Sequence, residues 1–99
     1  MTKTQILIGS LSNDLFRVAS CTVNGSIKNA SRFTQEAKRW AVPLQKQKVA
    51  EHIKKIAQEV SSFTDDEVTL EQAERCLMYG ILLQNYVLQT LKKNPGKVY

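Results

Sequence analysis

Apolar residues recur along most of this chain at the three- and four-residue steps of an α-helix, with polar residues filling the opposite side. Leu7, Ile8, Leu11, Leu15, Val18 and Ala19 mark one broad face of a first helix spanning about 3–22. Thr2, with Gln5 three residues on, makes a capping box at its start, and Asn24-Gly25 supplies a left-handed stop. A second helix, 27–41, sets Ala30, Phe33, Ala37, Trp40 and Ala41 on one stripe, and Ser26 is placed to cap it. Pro43 predicts a break or a kink there, because its ring crowds the preceding turn and it has no N–H to donate. A third helix, 44–60, carries Val49, Ile53, Ile56, Ala57 and Val60 on one face. The connection Ser61–Glu67 is polar except for Phe63, which is expected to tuck beneath it.

The fourth helix, 70–93, opens on a second capping-box pattern, Thr69 with Gln72, and Asn94-Pro95-Gly96 follows as its stop. Its middle, Cys76 to Leu83, holds only apolar or small residues. Ala73, Leu77, Gly80, Ile81 and Leu88 form one stripe, interrupted by Gln84, while Met78, Tyr79, Leu82 and Tyr86 lie on the far side. A helix apolar on so many sides must be covered on most of them. Either the other three helices wrap it, or a second copy of the chain covers what they leave open. Tyr79, Gly80, Ile81, Leu82, Leu83 and Tyr86 are the candidate residues of such a seam. Glycine in a helix interior fits a close backbone crossing at position 80.

Four helices joined by short connections predict an all-α, compact antiparallel four-helix bundle-like single domain over residues 1–99. A chain of 99 residues is one domain's worth, with surface enough for one modest core. The longest apolar run is far too short for a membrane span, and no secretory leader is visible, so the expected setting is cytoplasmic, without membrane partners. Cys21 and Cys76 match no metal-ligand spacing and are expected as free thiols.

Charge alters the picture more than composition does. Residues 1–58 hold ten Lys/Arg against three Asp/Glu, and residues 59–75 hold six acids against one Arg, within an overall net charge of +5. Between Lys28 and Lys55 stand eight basic residues and two acidic ones. Clusters of this sort meet phosphates, and released counterions supply the affinity. The stretch Thr34–Ile53 also carries a degenerate helix-turn-helix pattern, with Ala41-Val42-Pro43 as the turn and Gln45 to Lys48 opening the recognition helix. Lys28, Arg32, Arg39, Lys46, Lys48, Lys54 and Lys55 are therefore the candidate contacts to nucleic acid or to an acidic partner. The bland alternative is a solvated polar face on a helical hairpin.

Catalytic chemistry finds little support. His52 is the lone histidine, and nothing with nucleophile spacing accompanies it. The chain has neither a Gly-rich phosphate loop nor H-E-x-x-H, and Asp65-Asp66-Glu67 lacks the alternation of a calcium loop. The expectation is a non-enzymatic protein without cofactor: a small interaction or regulatory module binding another protein or itself. Nucleic-acid binding is the alternative.

Overall fold

The computed structural model describes residues 2–92, which form four helices: α1 (Lys3–Val23), α2 (Ile27–Leu44), α3 (Glu51–Ser61) and α4 (Leu70–Lys92). The expected stop at Asn94-Pro95-Gly96 and the helical end at residue 93 lie outside the described residues. Thr2 and Gln5 cap α1 reciprocally: Gln5 N–H donates to Thr2 Oγ1 at 3.1 Å and Thr2 N–H to Gln5 Oε1 at 2.9 Å. At the other end Gly25 adopts φ +78°, Ser26 N–H reaches Cys21 O at 2.8 Å and Gly25 N–H reaches Thr22 O at 3.1 Å. This pair of bonds is a Schellman closure, which needs a left-handed residue and so suits glycine. Ser26 makes no side-chain cap, against expectation; only its carbonyl serves α2, accepting from Ala30 N–H at 3.0 Å.

Pro43 does not end α2. The helix runs through it to Leu44, because Ala41 and Leu44 are both fully buried and draw the last turn inward. The bond that Pro43 cannot donate would have gone to Arg39, whose side of the helix faces water. Gln45 then bonds Ala41 O through both its backbone N–H and its side chain, each at 3.3 Å. Residues 45–50 are the turn, so α3 starts at Glu51 rather than at 44. Ala50 stands at the N-cap without a side-chain oxygen, and its N–H is taken up by Tyr86 Oη at 3.2 Å instead. Ile53, Ile56, Ala57 and Val60 are buried as their spacing predicts.

The central helix is α1, not α4. It runs antiparallel to both α2 and α4 and packs along the two, with Leu7, Ile8, Leu11, Leu15 and Val18 buried between them. Its contacts fix the directions: Gln5 meets Thr90, and Ser12 meets Gly80. α3 packs against α2, and α4 meets it at two levels, Tyr86 at the backbone N–H of Ala50 just before the helix and Tyr79 at the Glu59 side chain. The assembly measures 46 × 25 × 18 Å. Its shortest dimension is under two helix diameters of about 10–12 Å, so there is no further layer to enclose α4.

Candidate interaction surfaces

α4 is anchored from one side only. Ala73, Cys76, Gly80, Leu83 and Val87 turn into the protein and are buried. The opposite arc carries Leu77, Met78, Ile81, Leu82 and Leu88, each 41–50% exposed. The orientation is set at Gly80, where a β-carbon would fall 2.9 Å from Phe16 Cε1 and where Ser12 Oγ donates to Gly80 O at 2.8 Å. Absence of a side chain lets the two helices close up, and the outward arc follows from that contact.

The six predicted seam residues therefore divide. Ile81 and Leu82 are exposed. Gly80 and Leu83 are buried within the chain's own core. Tyr79 and Tyr86 are half-buried along the α3 side. Tyr79 stacks on Phe63 with ring centroids 6.4 Å apart and donates its hydroxyl to Glu59, which also holds Arg75 at 3.0 Å. Burial, then the Glu59 carboxylate, pushes the Tyr79 phenol up to about 12. Tyr86 meets exposed His52 edge to face at 5.8 Å and caps Ala50. Sequence reasoning placed Leu77 and Leu88 on the stripe with Gly80 and Ala73, the two members that point inward. The four- and three-residue steps Leu77–Ile81–Gln84–Leu88 were legible, but not the direction in which they face.

The apolar surface continues onto α1. Phe16, Ala19, Val23 and Leu77 line one shallow pocket with Ser20 and Asn24, and Val23 is 75% exposed. A larger cleft of about 400 Å³ lies at the other side of α4's start, where polar groups of Glu59, Thr64, Gln72 and Arg75 dominate.

The basic residues do not converge as a helix-turn-helix would require. Lys28, Arg32 and Arg39 share one exposed stripe of α2 by their spacing. Lys46 and Lys48 lie in the 45–50 turn, so no recognition helix begins there, and Lys54 and Lys55 stand on α3. Ala41-Val42-Pro43, the expected turn, is helical. Arg32 lies over the Phe33 ring at 5.7 Å, and Arg17 at 5.4 Å.

One buried acid escaped sequence reasoning. Asp14 is 2% exposed and accepts from Trp40 Nε1 at 2.9 Å, with Arg17 at 3.6 Å. Burial and the nearby charge of Glu36 raise its carboxyl from 3.8 to about 6, against the opposing pull of Trp40 and Arg17. Trp40 is thus fixed by its indole N–H to the core edge, not free to anchor a partner. Cys76 is buried and its thiol pushed up to about 12, which makes it unreactive. Among the described residues no three His, Cys, Asp or Glu side chains gather as a metal site, and no helix is long and apolar enough to cross a membrane. No protein-family model matches the chain, and no curated protein or solved structure matches it either.

Proposed function

We propose that this chain is a small non-enzymatic interaction or regulatory module of the cytoplasm that engages another protein through the outward arc of α4. One observation carries the reading: five large apolar side chains stand about half exposed on a helix whose inner side is already packed. Contiguous apolar patches of several hundred Å² mark interaction sites more often than idle surface. Glu74, Gln84, Asn85 and Gln89 intersperse and edge the five with exposed polar groups, as a rim does. The groups with shifted acidity support a role without chemistry, since Asp14, Cys76 and Tyr79 are each engaged inside the fold.

A photoreactive phenylalanine analogue placed at Leu82 tests this reading in cells expressing the chain. A discrete cross-linked adduct is expected there, and none from the same group at Gln35, which is exposed on α2. Equal smears or no adduct at either position would remove the reading.

A second reading has one observation in its favour. Among the described residues, none of Lys28, Arg32, Arg39, Lys46, Lys48, Lys54 and Lys55 is held in an ion pair, so each is available to phosphates. Titration of labelled duplex and single-stranded DNA by fluorescence anisotropy decides it, through affinity that falls steeply with salt yet survives at physiological strength.

A further inference from the structure

We infer that the partner of the α4 face is a second copy of this chain, joined by an antiparallel α4–α4 pairing about a twofold axis. The inference rests on the reading of α4 as the interaction face and names what occupies it.

The first argument is area. The large apolar members of the outward stripe, Leu70, Leu77, Ile81 and Leu88, stand 46–66% exposed and present on the order of 400 Å², a patch of the size that stable monomers seldom leave idle. A standard interface takes about 800 Å² from each partner, of which roughly 60% is apolar. The apolar share of one such surface is therefore what α4 holds out, and the interspersed polar groups make up the remainder.

The second argument is spacing. Leu70, Glu74, Leu77, Ile81, Gln84 and Leu88 follow one another in alternating steps of four and three, the repeat that keeps one stripe of a helix against a partner helix. All the members of this stripe are exposed. A polar residue on such a stripe selects register and orientation at some cost in strength, and Gln84 is placed to do so.

Charge then chooses the direction. A parallel pairing would oppose Glu74 to Glu74 on the seam. An antiparallel pairing sets Leu77 of one copy against Leu88 of the other, and Ile81 against Gln84, on both sides of the axis. This arrangement is isologous and closes at two copies. It also lets the two helix dipoles oppose favourably.

Sedimentation equilibrium of the full chain, from low micromolar to near-millimolar concentration, gives the deciding test. The expected result is a reversible dimer of twice 11.2 kDa. Ile81→Glu should weaken the dimer by about 100-fold or more and leave helicity unchanged, because Ile81 is already 46% exposed. Orientation is read by mixing tagged Leu77→Cys with untagged Leu88→Cys under oxidation, with the wild-type chain controlling for Cys21 and Cys76. Mixed tagged–untagged disulfides support the antiparallel seam; links between two tagged chains overturn it. A wild-type monomer throughout the range, or a dimer indifferent to Ile81→Glu, overturns self-pairing. If the chain is monomeric and Leu82 still yields an adduct with a different protein, only the identity of the partner falls; if no adduct forms, the interaction face falls with it.

Discussion

The ring of Phe16 lies across the backbone of Gly80, so near that a methyl group at position 80 would meet Phe16 Cε1 at 2.9 Å. Alanine should otherwise favour the helix by about 0.8–1 kcal/mol over glycine. Gly80→Ala is therefore expected to be more favourable in a Phe16→Ala background than in the wild type, by about 1 kcal/mol in a double-mutant cycle. Urea denaturation of the four proteins measures that coupling. Additive effects would mean that the two residues do not constrain one another. Gly80→Leu, which the ring cannot evade by a small shift, should cost ~2 kcal/mol or more.

Asp14 makes stability depend on pH in the less common direction. Its folded carboxyl titrates near 6 and its unfolded one near 3.8, so between these values the folded chain holds the extra proton. Stability from this group is complete below about pH 4 and is lost as pH rises through 6. Urea midpoints should accordingly fall between pH 5 and pH 7, an interval in which most other carboxylates stay ionised. Asp14→Asn keeps an oxygen for the Trp40 indole and removes the repulsion with Glu36. It should flatten the profile and raise stability at pH 7 by about 1 kcal/mol. A wild-type midpoint that rises with pH over this range would contradict the assignment.

Tyr86 substitutes for a missing cap at α3. Its hydroxyl accepts the Ala50 N–H at 3.2 Å, a bond that Ile53, at the third position of the helix, has no side-chain oxygen to make. Tyr86→Phe should cost about 1 kcal/mol. Hydrogen exchange should quicken at Ala50 and in the first turn of α3, and much less in α1. Uniform acceleration along the chain would point to a general loss of packing.

Lys46 and Lys48 sit in a turn, which separates the two functional readings. Charge reversal at both is expected to leave self-association unchanged, while any low-salt retention on heparin declines. If reversal instead abolished a salt-resistant complex with DNA, the basic residues would take precedence over α4.

Much of the architecture was legible because it depends on local periodicity and local capping. Ile53, Ile56, Ala57 and Val60 needed only their spacing to be placed inside, and Thr2 with Gln5 announced the start of α1. The failures share a cause. Pro43 argued for a break through local sterics, but the burial of Leu44 outweighed one missing hydrogen bond on the wet side of the helix. In α4 two apolar arcs of similar strength competed, and the choice was made by residues remote in sequence. Phe16 and Ser12 claim Gly80, while Glu59 and Ala50 claim the hydroxyls of Tyr79 and Tyr86. No window on helix four alone contains that information. Asp14 was missed for a related reason, since its partner Trp40 lies on another helix.

The central position of α1 has a kinetic consequence. Its bonds to α4 join residues far apart in the chain, Ser12 with Gly80 and Gln5 with Thr90. A segment synthesised earlier must therefore hold an uncovered apolar arc until α4 arrives, with only α2 as a nearby companion. Such contacts close large loops, which slows folding relative to bundles whose helices pack in chain order. Nascent chains that stop short of α4 should be the species most in need of a chaperone.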